Sequence, residues 1–381
     1  MAQVVEKVDP SRVEVQLLLS LSMAELMPRF REQANELLGH SGAFDSRLFG
    51  DLARQHRVAP LVAANLASFG RGYGPVDARE ATELSDIARM NAQRNRQLLD
   101  EAVTLIAALT KAGVPTAVRK GLPLAYRVHG RIGARMMKDI DLLIDRRDAV
   151  RVREVLESIG FKCARSDDQG GIEPWPRRAM TALMVGGLNL PGYAVMRDVG
   201  VVEIGLVTAL FDRQSGYELP VDTLLSTCVV DEIEGSPVVA LDDAHFFIDL
   251  CAHFWKDAKS LASVGWGADL QLYRFCDVAG YALRLSRRDL WSQVIDAVGA
   301  YGVGAPIHYA MRYADSVFAD ALPGPVTDRL AFDGADEYLH TFGESEGMSH
   351  RWQDDDILGR LFDHTRWEAW RSASRLGAAL S

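Results

Sequence analysis

Cysteine is scarce and scattered: the 381 residues hold four, at 163, 228, 251 and 276, with no CxxC pair. That spacing excludes a disulfide framework and the common zinc sites, and leaves buried thiols in a reducing compartment as the expectation. No uninterrupted apolar run approaches the roughly 20 residues a membrane-spanning helix needs. Residues 1–10 are polar and charged, unlike a secretory leader, so the cytoplasm is the expected location and no membrane partner is expected. A basic surplus is missing as well. The 42 Lys and Arg against 52 Asp and Glu give a formal charge of −10, which argues against a broad footprint for extended nucleic acid. What remains, 48% apolar and 25% charged residues, is ordinary for a soluble globular protein, and the length fits two or three domains.

Apolar residues recur at helical spacing from Val13 to about Gly113, as in Ala24, Leu26, Met27 and Phe30, and predict a helical bundle over 1–112. Its breaks are the turn-rich segments 39–44 and 70–75. A long helix from about Ala81 to Ala112 is expected to end at Gly113, where glycine takes the left-handed cap conformation. The pattern then changes. Val114 to Val118, Met137 to Ile144 and Phe161 to Ala164 read as strands between helical stretches, and three extended runs between Ala179 and Leu210, separated by Gly186-Gly187, Pro191-Gly192 and Asp198 to Gly200, read as an antiparallel meander. A mixed α/β core is therefore expected over 113–241. Helical period returns through Asp243 to Trp255, Ala268 to Leu283, Arg288 to Gly299 and Pro306 to Val317, giving a third region over 242–381. The fold class is α+β: a mixed sheet flanked by amino- and carboxy-terminal helical regions.

The most informative stretch is Lys138-Asp139-Ile140-Asp141-Leu142-Leu143-Ile144-Asp145. On a strand, residues two apart share a face, so Asp139 and Asp141 project together while Ile140, Leu142 and Ile144 enter the core. Two like charges held in a half-buried setting call for a cation. Magnesium suits them, because it prefers carboxylate oxygens and keeps phosphate oxygens in its remaining positions. Taken alone, the same pattern also fits solvated acids on an exposed strand.

Upstream, a predicted strand leads into Arg119-Lys120-Gly121-Leu122-Pro123 and a helical segment, Leu124 to Val128, with Pro123 at the first helical position. Glycine at 121 lets backbone approach a ligand, and the unpaired N–H groups of a helix start suit phosphate, with Lys120 adding a point charge. A third acid sits in Val201-Val202-Glu203-Ile204-Gly205, again alternating with aliphatics. If its strand neighbours the one bearing Asp141, Glu203 joins the same face and three carboxylates could hold metal.

These residues resemble the nucleotidyltransferase superfamily, in particular a bacterial branch with a KG turn. The matching string runs from Ala112-Gly113-Val114-Pro115 through Lys120-Gly121 and Arg135 to Asp139-Ile140-Asp141-Leu142-Leu143, with further similarity at Val202-Glu203-Ile204, His253 and Arg274-Phe275-Cys276-Asp277. The resemblance implies a mixed-sheet catalytic core and transfer of a nucleoside monophosphate from an NTP, ATP by abundance, with Mg2+ or Mn2+ as cofactor and pyrophosphate released. It implies Asp139 and Asp141 as paired metal ligands, Glu203 as the third carboxylate activating the acceptor, Lys120 and Gly121 as phosphate contacts, and Arg135 as a phosphate or structural partner of the acids. No serine follows Gly121, and Gly205 stands where related sequences often place histidine.

His245, His253, Lys256, Arg274 and Asp277 fall on later helices, where they could contact base, ribose or phosphate, or pair with one another across helices. Gly70-Arg71-Gly72-Tyr73-Gly74-Pro75 lacks a preceding strand and reads as a linker, and the tryptophans read as packing residues. The expected partners are a nucleotide and an acceptor on a small molecule, peptide or protein. The alternatives are a non-catalytic nucleotide- or partner-binding protein on the same fold, or a toxin-type transferase acting on tRNA or protein.

Overall fold

The structure, a computed structural model, describes residues 5–366 and 368 apart from 40–41, 71–73, 168, 187 and 346–347. The Arg71-to-Tyr73 stretch of the expected linker therefore lies outside the described residues. The chain divides into two compact units, residues 90–252 with 284–303, and residues 1–89 with 253–283 and 304–381. This division cuts across the expected boundaries at 112 and 241: the sheet-bearing unit begins inside the long helix and takes the start of the helix Asp243–Lys259.

The sheet unit is built on six strands, β1 Thr116–Arg119, β2 Ile140–Ile144, β3 Lys162–Ser166, β4 Ile172–Pro174, β5 Asn189–Arg197 and β6 Gly200–Val207, in the order β1-β2-β6-β5-β3-β4. Only β2 and β6 run parallel; the other neighbours are antiparallel, so the sheet is mixed and the fold is α+β. Period-two patterning places Ile140, Leu142 and Ile144 of β2 and Val202, Ile204 and Leu206 of β6 in one buried cluster. The helix Ala78–Lys111 supplies Leu98, Leu99, Ala102, Leu105, Ile106 and Leu109 to the same cluster, an apolar stripe at helical spacing. It ends as expected: Gly113 has φ +70°, and the Val114 N–H donates back to the Leu109 carbonyl at 2.9 Å.

The expected meander is corrected in two places. Residues Arg177–Gly186 form a helix, because an apolar run such as Ala-Leu-Met-Val satisfies either period. Pro191-Gly192 does not break a strand but sits within β5, where the register shifts between Leu190 and Tyr193. The first strand begins at Thr116 rather than Val114, and the helix after the turn, Gly121–Arg127, takes Pro123 third rather than first. That position still falls in the first turn, where an N–H has no helical partner to lose. A hairpin absent from the sequence reading, β7 Val229–Ile233 with β8 Ser236–Ala240, turns on Glu234 and Gly235, both at positive φ.

The other unit is mainly helical, and its amino-terminal part holds Val13–Ser20, Pro28–Leu38, Ser46–Gln55 and Ala59–Ala67. Its core is aromatic, with the rings of Tyr309 and Tyr313 stacked at 4.3 Å and Phe254 set edge-on to Phe275 at 5.0 Å. The tail adds a second unexpected hairpin, β9 Thr341–Ser345 with β10 Met348–Arg351, over which Phe342 stacks on Trp352 at 4.0 Å.

Candidate active site

Asp141 lies in β2 and Asp139 immediately before it, while Glu203 lies in β6 one residue before Ile204, the partner of Ile140. The parallel pairing therefore sets the three acids side by side, and all line a cavity of about 250 Å³. Arg94 of the long helix holds this arrangement from behind. One of its guanidinium nitrogens donates to the Lys138 carbonyl at 2.8 Å and the Val201 carbonyl at 3.1 Å, tying the entry of β2 to the start of β6. Asn91 and Asn95 fix the preceding loop by donating to the carbonyls of Ile132, Gly133 and Arg135.

Two acids carry lysines. Lys120 Nζ stands 2.6 Å from Asp141, and Lys138 Nζ 3.1 Å from Glu203, whose other oxygen accepts the Ser166 N–H at 2.7 Å. Burial alone would raise the Glu203 pKa; the Ser166 and Lys138 contacts outweigh it and hold the group below the usual carboxylate range. Asp139 goes the other way. Burial, then the neighbouring Asp141, pushes its carboxyl up to about 6 against the pull of Lys120. Three carboxylates against two ammonium groups leave negative charge uncompensated at Asp139. Among the described residues no group of three or more His, Cys, Asp or Glu side chains is gathered tightly enough to hold a metal ion. The expected convergence on a shared cation thus takes the form of a shared cavity in which lysines meet two of the three acids.

The turn carries strain. Lys120 has φ 49° and ψ −102°, a sparsely populated region for a side chain with a Cβ, at a cost of order 1–3 kcal/mol. Gly121 faces protein: a Cβ there would come within 2.9 Å of Met137 Sδ, so a side chain at 121 would have to displace that thioether. Gly205 has a sharper reason, because it is the register partner of Asp141 and a Cβ there would lie 2.5 Å from Asp141 Oδ1. The missing side chain gives the carboxylate its room.

Arg119, one residue before Lys120, makes a closed pair with Asp249: its Nε donates to Oδ2 at 3.0 Å and its Nη2 to Oδ1, both groups buried. Burial opposes the guanidinium charge, yet Asp249 outweighs it and the arginine is held more firmly protonated than usual. Arg135 lies outside the cavity lining, with Nη1 3.4 Å from the Met136 carbonyl. His253, Lys256 and Arg274 belong to the other unit and gather on one carboxylate, Asp257, at 3.5, 3.7 and 2.6 Å. Arg274 also donates to the Ala268 carbonyl at 2.6 Å. In the sheet unit His245 is a helix-capping partner, its N–H and Nδ1 both on Asp242. A larger hollow of about 810 Å³ in that unit holds Arg127, Arg284 and Arg288, each already on Asp231 or Asp243.

Sequence reasoning passed over Lys138, Ser166, Arg94 and Asp249. Lys138 was visible beside Asp139; the others act through contacts 37 to 130 residues apart, which no local pattern reveals.

A pair of acids entering one strand, a third acid on its parallel neighbour and a lysine turn beside them thus meet on a mixed sheet, where the resemblance to nucleotidyltransferases expects them. The sequence pattern of the family described as uncharacterised nucleotidyltransferase matches residues 42–319, and the chain belongs to that family. No curated protein matches. The solved structure of an antigenic nucleotidyltransferase-like protein from Paracoccidioides brasiliensis is similar, at 18% identity over 55% of this chain and 91% of that one, with a TM-score of 0.29. No helix among the described residues is long and apolar enough to cross a membrane.

Proposed function

We propose that the chain is a magnesium-dependent enzyme that moves a nucleoside monophosphate from an NTP, ATP by abundance, to a hydroxyl, amine or phosphate of a small molecule, peptide or protein. The observation that carries this reading is the parallel register of β2 on β6, which brings Asp139, Asp141 and Glu203 to one cavity.

The donor set suits a hard cation: oxygens only, with Asp139 pushed up to about 6 by burial and by the neighbouring Asp141. Asp139 and Asp141 would hold Mg2+, or Mn2+ in its place, with Glu203 as the third carboxylate. A metal held there would supply neutralisation of triphosphate charge and Lewis acidity toward phosphorus. Lys120, strained and close to Asp141, supplies positive charge for phosphate oxygens. Glu203, fixed by Ser166 and Lys138, is oriented to receive the acceptor's proton. The basic groups around Asp257 need no nucleotide to satisfy them, and the proposal places none there.

Incubation with each labelled NTP, magnesium and a cell extract tests this. Label should pass to an acceptor and vanish with Asp139→Ala. Absence of transfer with every NTP, under both Mg2+ and Mn2+, overturns it. The two lysine pairs favour one alternative, a non-catalytic nucleotide- or partner-binding protein, since they satisfy two acids without metal. Nucleotide binding without turnover, with cellular function intact in Asp139→Ala, selects that reading.

A further inference from the structure

The acid-lined cavity is lopsided. The lysine turn follows β1, on one side of the acid-bearing pair β2-β6, whereas the cavity extends to the other side, across β6 and β5. There it is walled by Trp175, Leu183, Asn189 and Gly192. Trp175 is fixed rather than loose: its indole N–H donates to the Gly192 carbonyl at 2.9 Å, and the Arg165 guanidinium lies 5.8 Å from its ring. Gly192 has no room for a side chain, since a Cβ would lie 2.8 Å from the Ile204 carbonyl oxygen and 3.6 Å from the indole.

Size decides what can enter. Pockets for drug-sized ligands run from about 300 to 1,000 Å³. At about 250 Å³ this cavity takes one compact group and not a whole nucleoside triphosphate. The wall narrows the choice further, because an indole face and a leucine side chain favour an aromatic or aliphatic body.

Resting on the nucleotidyltransferase reading, we infer that this cavity is the acceptor pocket, and that the acceptor is a compact group with an aromatic or aliphatic body and one hydroxyl or amine. The acceptor oxygen or nitrogen forms the new bond to the α-phosphorus as the bond to the bridging oxygen of the β-phosphate breaks. Pyrophosphate leaves with that electron pair, and the acceptor's proton passes to Glu203.

Two measurements test the pocket apart from the chemistry. N-acetyl-tyrosinamide and N-acetyl-threoninamide, titrated against the full chain by ligand-observed NMR, should bind the native protein. Binding should be lost in Leu183→Trp, which fills the cavity, and weakened in Trp175→Ala by roughly tenfold or more. In transfer assays with whichever of the two accepts label, Trp175→Ala should raise the acceptor KM by a similar factor and leave the NTP KM within about twofold. Failure of both probes to bind native protein, or a rise in NTP KM with acceptor KM unchanged, overturns the inference; the second result makes this the base pocket. Binding that both variants weaken, without transfer from any NTP, keeps the pocket and removes the nucleotidyltransferase reading instead.

Discussion

Two groups of charged side chains attracted notice in the sequence, and the structure builds them on opposite principles. Around Asp139 acids outnumber bases, the surplus opens onto a cavity, and one carboxyl is left needing positive charge. Around Asp257 bases outnumber acids, and the principal one, Arg274, is buried and spends both Nη nitrogens on that carboxylate and on backbone carbonyls, with its Nε left without a hydrogen-bond partner among the described residues. The first arrangement is short of a partner; the second has found it within the protein. Residue type alone did not separate them, since both supply the charged groups a nucleotide site uses. A third pair sharpens the contrast at a single step of the chain: Arg119 is locked to Asp249 on two nitrogens, while Lys120 meets Asp141 through one ammonium.

The largest effect is expected at that locked pair. Asp249→Ala leaves the Arg119 guanidinium buried without its counter-charge and should lower unfolding stability by about 3–5 kcal/mol in urea titrations. A loss below about 1 kcal/mol would place the two pairs in the same class.

Next comes acid. His56 and His364 sit with ring centroids 5.1 Å apart in the helical unit; burial first, then Arg366, holds the His364 imidazole down at about 4, and His56 is driven well below its usual value. The unfolded chain takes up protons near pH 6.5 while the folded one resists. Stability is therefore complete above about pH 6.5 and falls as pH drops toward 4, by roughly 3 kcal/mol for His364 alone. Urea midpoints across that window, compared with His364→Phe, measure it; an unchanged slope in the variant would show that another group titrates.

Asp141→Asn should reduce nucleotidyl transfer roughly a hundredfold or more, since even outer contacts of a metal site contribute 10- to 100-fold, while the melting temperature moves little. Smallest on activity is Asp257→Ala. It should remove about 1–3 kcal/mol of stability by unpairing Arg274, yet leave transfer within about twofold. Collapse of transfer in a folded Asp257→Ala protein would return that cluster to the active site and erase the contrast.

The strands that bear the acids were legible because their alternation is local: Ile140, Leu142 and Ile144 against Asp139 and Asp141, and Val202 and Ile204 against Glu203. Their parallel pairing was not, because it joins residues about sixty positions apart and depends on what crosses between them. The helix Arg177–Gly186 was read as a strand since its apolar run fits both periods, and the β7-β8 hairpin escaped because its turn places glutamate, not asparagine or aspartate, at positive φ. The chemistry of Asp139 and Asp141 was visible in the order of residues; the lysines' choice of partners, the clamp by Arg94 and the commitment of Arg274 to Asp257 needed coordinates, because pairing is a three-dimensional fact.

The backbone of Lys120 carries a consequence for protein engineering. Glycine at that position would relax an awkward dihedral and gain thermal tolerance while discarding the ammonium beside Asp141. On the proposed function, selection for heat resistance and selection for turnover would pull this one codon in opposite directions, and a library screened for robustness alone would lose its lysine there early.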